Sequence, residues 1–80
     1  MEMKEITDIN ILKSMDLSSV NAIQYLGLVY TKITMVGEPK TTFLFYSEAE
    51  RHLIKIKSKS YLLASYVILH KVSDNVYKTT

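Results

Sequence analysis

The chain has 80 residues, of which 48% are apolar, and a net charge of +2 from ten basic and eight acidic side chains. This length gives one small domain, and the composition excludes a disordered chain and an acidic nucleic-acid mimic. The sequence has no cysteine, which excludes disulfides, thiol nucleophiles and thiolate metal sites, and which fits a reducing, cytoplasmic location.

The first fifteen residues, Met1 to Met15, are ambiguous: Ile9 and Ile11 alternate as in a strand, but the segment favours a short helix or turn. Thr7 or Asp8 is a suitable N-cap for it, and no apolar run typical of a signal peptide precedes them. Three apolar residues follow at helical spacing: Ile6, Ile9 and Leu12.

A second helix is predicted from Asp16 or Ser18, either of which can cap it, to Gly27, which is a natural residue just after a helix. Three apolar side chains would share its inner face: Val20, Ile23 and Leu26.

The next segment predicts a β-hairpin. Leu28 to Val36 is rich in β-branched and aromatic residues, Gly37 to Lys40 contains the Gly and Pro of a turn, and Thr41 to Tyr46 is the returning strand. Phe43 and Phe45 project to one face of that strand, where we expect them to form the core.

Ser47 and Glu50 have the spacing of a capping box, which predicts a third helix with Leu53 and Ile56 facing inward. The alternative for residues 51–58 is a third strand, because Ile54 to Lys57 alternates apolar and basic residues. The sequence favours the helix but leaves the strand open.

A last helix is predicted from Tyr61 to Tyr77, with Ser60 as its cap. Its inner seam would be Leu62, Tyr66, Leu69, Val72 and Val76. The predicted fold is therefore α+β: a single domain, residues 1–80, in which helices before and after the hairpin pack on that antiparallel hairpin. Its longest nearly apolar run, Tyr61 to Leu69, is too short to cross a membrane as a helix, so we expect no membrane contact.

Four features resemble a family of short uncharacterised proteins, common in phages and mobile elements and classed as a domain of unknown function. These features are Thr7-Asp8, Leu26-Gly27, Phe43-Leu44-Phe45 and the aromatic segment from Tyr61 to Tyr77. Asp16 to Ser19 is an insertion relative to that pattern. The resemblance supplies no activity and no site residues, but it implies a phage protein that inhibits a host protein and so evades host defence.

No catalytic residue, cofactor site or metal site is predicted, so we expect a protein that is not an enzyme. His70 and Asp74 are four residues apart, but neither a nucleophile elbow nor an oxyanion loop accompanies them. The two histidines lack metal-ligand spacing. Gly37 to Thr42 ends in Lys-Thr like a phosphate loop, yet Pro39 replaces the second glycine that such a loop needs.

Two binding surfaces are predicted instead. The last helix has more apolar residues than one face can bury, which favours a protein-binding surface made by Tyr61, Leu63, Val67 and Ile68. We expect a host protein as partner and a homodimer, joined through the hairpins or through these residues. The alternative is a small nucleic-acid-binding regulator, whose basic helix face would comprise Arg51, Lys55, Lys57 and Lys59.

Overall fold

The computed structural model describes residues 3–79 and contains eight strands and one short 3-10 helix. The predicted α+β fold is wrong, because none of the long helices expected around the hairpin is present in residues 3–79. The elements are β1 (Met3–Ile6), the 3-10 helix (Ile9–Lys13), β2 (Ala22–Tyr25), β3 (Leu28–Met35), β4 (Thr42–Ser47), β5 (His52–Lys57), β6 (Ser60–Ala64), β7 (Leu69–Ser73) and β8 (Val76–Thr79).

The strands form one curled, mixed sheet in the order β1-β2-β3-β4-β5-β6. β1 runs parallel to β2, and every later neighbour along this path is antiparallel. β8 adds to the end of β3 in parallel, and β7 pairs with β8 as an antiparallel hairpin. The sheet is therefore a half-barrel with a separate hairpin attached to its third strand.

Both faces of the central strands are buried, which produces two cores. The inner face of the curl holds the first core, made by Ile6, Leu12, Leu17, Val20, Ile23, Tyr30, Phe45, Ile54 and Ile56. The opposite face holds the second core, to which β8 contributes: Ile33, Met35, Leu44, Tyr46, Leu53 and Tyr77. Alternate residues of β4 and β5 enter different cores, as the two-residue period of a strand requires.

The β3–β4 hairpin is confirmed, with Thr31, Lys32 and Ile33 paired to Tyr46, Phe45 and Leu44. Phe45 is fully buried in the first core and Phe43 packs against that core, as expected. Beyond the Ile33–Leu44 pair the strands separate, because β3 turns to β8 while β4 stays with β5.

Only the second half of the N-terminal segment is helical. Met3–Ile6, including the Ile6 expected on a helix, forms β1, and the 3-10 helix follows at Ile9–Lys13, where Asp8 caps it by accepting a hydrogen bond from the Asn10 N–H at 3.0 Å. Residues 1 and 2 of that predicted segment lie outside the described residues. Leu12 of the 3-10 helix is 1% exposed, and Leu17 in the following loop is 2% exposed. The helix and this loop together cover the first core.

The predicted second helix is absent, and β2 stands in its place. Asp16 accepts hydrogen bonds from the Ser18 N–H and hydroxyl, which makes a turn and holds the pKa of Asp16 below its usual value. Gly27 belongs to the β2–β3 turn, where Leu26 has φ of 53° and Gly27 has φ of 79°. Two positive φ values define a type I′ turn, so Leu26 points away from the core and is 79% exposed.

Leu26→Asn is expected to raise the free energy of unfolding by about 0.5–1 kcal/mol, because asparagine tolerates the left-handed conformation that Leu26 occupies at a steric cost. Urea denaturation followed by circular dichroism measures the change. Leu26→Val serves as the control and should destabilise the protein, since a β-branched residue fits this conformation worse. An unchanged midpoint in both variants would contradict the type I′ turn.

The predicted third and last helices are also wrong. Ser47 ends β4, is buried and pairs with His52, while residues 48–51 form the turn between β4 and β5. Residues 52–57 are the strand that the sequence left as the alternative. Residues 61–77 make β6, β7 and the start of β8. Leu62 and Tyr66, expected on the inner seam of a helix, are 61% and 87% exposed.

Candidate functional site: an open apolar edge strand

β6 lies at the end of the strand order and pairs only with β5. A two-residue turn, Ser58-Lys59, joins the two strands, and Lys57 and Ser60 are the pair that closes it. Within residues 3–79 no strand pairs with the second side of β6. An edge of this kind carries a row of backbone donors and acceptors that another strand can use.

The closing pair of the turn determines which backbone groups point outward. In a two-residue hairpin the closing residues exchange hydrogen bonds, so the N–H and C=O groups of Ser60 are directed at β5. The alternation of the strand directs those of Leu62 and Ala64 the same way. The N–H and C=O groups of Tyr61 and Leu63 therefore point to the open side.

The side chains of β6 are apolar on both faces. Leu62 is 61% exposed, beside Lys55 of β5, and Leu63 is 47% exposed, beside Ile54. Tyr61 is half-buried against the first core, where the Lys13 ammonium lies 5.5 Å from the centre of its ring.

β6 itself carries no charge, although the 3-10 helix packs against this strand and brings the Lys13 ammonium over the Tyr61 ring. The sequence from residue 60 to residue 66 contains no charged residue and no proline. Natural sheets usually guard an exposed edge with lysine, proline or a bulge. An open, uncharged edge with two exposed leucines has the properties of a strand-pairing surface.

The four predicted protein-binding residues have different environments. Leu63 lies on the open edge strand, and Ile68, 56% exposed, lies in the loop before β7. Tyr61 is half-buried in β6. Val67 packs against the second core, where its N–H donates to the Arg51 carbonyl and its own carbonyl accepts from the Tyr46 hydroxyl at 2.7 Å. The binding surface that the structure offers is thus β6. It includes Leu62, which the sequence predicts on the buried seam of a helix.

The four predicted nucleic-acid-binding residues do not form one basic face. Arg51 is in the turn before β5, whereas Lys57 ends β5 and Lys59 is in the turn after it; the five steps from His52 to Lys57 alone span roughly 17 Å. Lys55 donates to the Glu38 carboxylate at 2.8 Å, so its charge is compensated. The stripe predicted at four-residue spacing required a helix that is absent.

The aromatic residues of the hairpin are also not free to stack on bases. Tyr30, Phe45 and Tyr46 are at most 4% exposed. Burial raises the pKa of the Tyr30 hydroxyl above its usual value. Phe43 is half-buried, and the Lys32 ammonium lies 5.4 Å from the centre of its ring. The same ammonium donates a hydrogen bond to the Leu17 carbonyl at 2.8 Å. Bases stack only on exposed rings, and none of these four rings of the hairpin is exposed.

His70 and Asp74, the pair considered for chemistry, do not line the cavity between β3 and β4. His70 is exposed on β7 opposite Lys78, and Asp74 lies in the β7–β8 turn, 3.8 Å from the Lys71 ammonium. Among residues 3–79 no three histidine or carboxylate side chains come together as a metal site would require. Residues 36–41 connect β3 to β4, and a strand rather than a helix follows.

A cavity of about 220 Å3 lies where β3 and β4 separate. Its lining combines apolar side chains such as Ile33, Met35 and Leu44 with Thr42 and the charged residues Lys32, Glu38 and Lys40, of which Glu38 is paired with Lys55. The Thr42 hydroxyl has no hydrogen-bond partner among the described residues, but it is shielded from solvent. It is therefore out of reach of a ligand in the cavity, which leaves the β6 edge as the better candidate site.

Comparisons with protein-family models, with curated proteins and with solved structures found no match to this chain. No helix in the described part, residues 3–79, has the length and apolar character needed to cross a membrane.

Proposed function

We propose that this protein is a non-catalytic protein-binding module that acts through the open edge of β6. The observation that supports this most strongly is that β6 has one unpaired side and no charge from residue 60 to residue 66. Because the resemblance noted above is to phage and mobile-element proteins, we propose that the partner is a host protein and that binding inhibits it by occlusion.

Strand addition is the binding mode that suits this edge. An extended segment of the partner would pair with the backbone groups of Tyr61 and Leu63, and the main-chain hydrogen bonds would supply affinity. Its side chains would cover Leu62 on one face and Leu63 on the other, which removes apolar area from water at about 25 cal/mol per Å2. The edge thus favours partners that present an uncharged, apolar strand.

The test is affinity capture from a nuclease-treated host lysate with three tagged baits: the wild type, Leu62→Lys and Val29→Lys. Both substitutions place a lysine at an exposed strand position, since Leu62 is 61% and Val29 is 49% exposed. Leu62 lies on the edge strand β6, whereas Val29 lies on β3, an interior strand of the sheet order, and pairs there with Gln24 of β2.

We expect a protein that the wild type and Val29→Lys capture equally and that Leu62→Lys loses, because lysine on an edge disfavours strand pairing. Circular dichroism of the three baits checks that each is folded. Equal capture by all three baits, or capture that nuclease treatment abolishes, would contradict the proposal.

A further inference from the structure

We propose that the open edge of β6 pairs with β6 of a second copy of this chain, antiparallel and about a two-fold axis at Leu62. This inference rests on the proposed function because it uses the same edge: the free protein would pair with a second copy, which a strand of the host protein would displace. It follows from the backbone directions, the turns that bound β6 and the side chains along it.

The backbone directions fit a two-fold pair. Tyr61 and Leu63 direct their N–H and C=O groups outward, so Tyr61 of one copy and Leu63 of the other can exchange two hydrogen bonds. The two-fold axis repeats this pair, which gives four hydrogen bonds between copies. Leu62 then faces Leu62 of the second copy as a non-hydrogen-bonded pair, with Cα atoms about 4.5 Å apart.

The turns on either side of β6 select this register. Ser58 has φ of 56° and Tyr66 has φ of 57°, so both residues leave the extended conformation. A register centred on Tyr61 would place Ser58 opposite Ala64, and one centred on Leu63 would place Tyr66 opposite Ser60. Centring on Leu62 pairs residues 60–64 with one another and keeps both turns outside the ladder.

The side chains are self-complementary in this register. Leu62 packs on its counterpart on one face of the sheet, and Tyr61 packs on Leu63 of the second copy on the other face, an aromatic–aliphatic pair. No like charges face each other, because Lys59 comes opposite Ser65. The same contacts cover Leu62 and Leu63, which a single copy leaves exposed.

Single cysteines test the register, since the chain has none of its own. Leu62→Cys is expected to form an intermolecular disulfide under mild oxidation, because the predicted Cα separation lies within the range that a disulfide spans. Leu63→Cys should not, because residue 63 faces residue 61 of the other copy. Val29→Cys is the control, which measures how much intermolecular disulfide forms by random collision of exposed cysteines. Non-reducing electrophoresis measures all three, and equal cross-linking at 62 and 63 would overturn this register.

Light scattering measures the mass of the protein in solution and so tests whether a second copy is bound. The wild type and Val29→Lys should have twice the 9.2 kDa mass of one chain at micromolar concentration. Leu62→Lys should raise the dimer dissociation constant at least about tenfold, because two ammonium groups would then meet at the axis. A wild type that stays at 9.2 kDa on concentration would overturn the dimer. If Leu62→Lys still lost a captured host protein in that case, the proposed function would stand without the second copy.

Discussion

Phe45→Ala is expected to abolish cooperative folding. Phe45 is fully buried at the centre of the first core, between Lys32 of β3 and Ile54 of β5 in the strand register. Truncating a buried phenylalanine to alanine costs about 3–5 kcal/mol. A single core in a domain of this length supplies only about 3–5 kcal/mol of stability. Urea denaturation at 25 °C, followed by circular dichroism, should show a folded baseline for the wild type and none for the variant.

The control is Phe43→Ala on the same face of β4. Phe43 is only half-buried and packs at the margin of the first core, so we expect a smaller loss and a measurable transition. Equal losses for the two variants would contradict the assignment of Phe45 to the centre of the core.

Tyr77→Ala is expected to lower the free energy of unfolding by about 3 kcal/mol and to release the β7–β8 hairpin first. Tyr77 is buried in the second core, with its ring edge-on to Tyr46 at a centroid distance of 5.6 Å. β8 is held on β3 by the short ladder at Thr34 and Met35, with hydrogen bonds from the Thr34 and Val36 N–H groups, and Leu69 of β7 adds a contact with the second core. Hydrogen exchange should show faster opening of β7 and β8 than of β4 and β5.

Tyr77→Phe keeps the ring and its edge-on contact with Tyr46, so we expect a change within about 0.5 kcal/mol. If this variant destabilised the protein as much as Tyr77→Ala, the hydroxyl rather than the ring would hold the hairpin. A uniform acceleration of exchange across all strands after Tyr77→Ala would contradict independent opening of β7 and β8.

The β3–β4 hairpin was predictable from the sequence because its signals agree with one another. Leu28 to Val36 alternates, and Gly37 and Pro39 mark the connection that the structure has at residues 36–41. The position of Phe45 in the core was predictable for the same reason, since the strand period determines its face.

The helices were predicted wrongly because most turns in this chain lack the glycine that usually marks them. Leu26, Arg51, Ser58, Tyr66 and Asn75 all have positive φ although none is glycine. Such residues are uncommon in the left-handed region, so a sequence with two glycines and one proline seemed to be uninterrupted.

Residue spacings that are typical of helices, but that occur here by coincidence, also contributed to the wrong prediction. The Ser47 and Glu50 pair has the pattern of a capping box, yet these residues flank a turn between strands. Leu62, Tyr66 and Leu69 recur at helical spacing, but they lie on β6, in a loop and on β7. Local propensity is weak beside the tertiary pairing that makes β5 central to the sheet.

The candidate site was only partly predictable for the same reason. The excess of apolar residues after Tyr61 indicated an interface, and Leu63 is indeed exposed there. Which of these residues face solvent depends on whether the segment is a helix or a strand. Val67 consequently packs against the second core, and Leu62 is on the surface.

Amide hydrogen exchange at Tyr61 and Leu63 tests the central claim, that the open side of β6 pairs with another strand, most directly. In the complex or dimer of the wild type, both amides should be protected as strongly as those of Leu62 and Ala64, which point to β5. In Leu62→Lys the amides of Tyr61 and Leu63 should exchange rapidly, while those of residues 62 and 64 stay protected. Rapid exchange of Tyr61 and Leu63 in the wild-type assembly would contradict the claim.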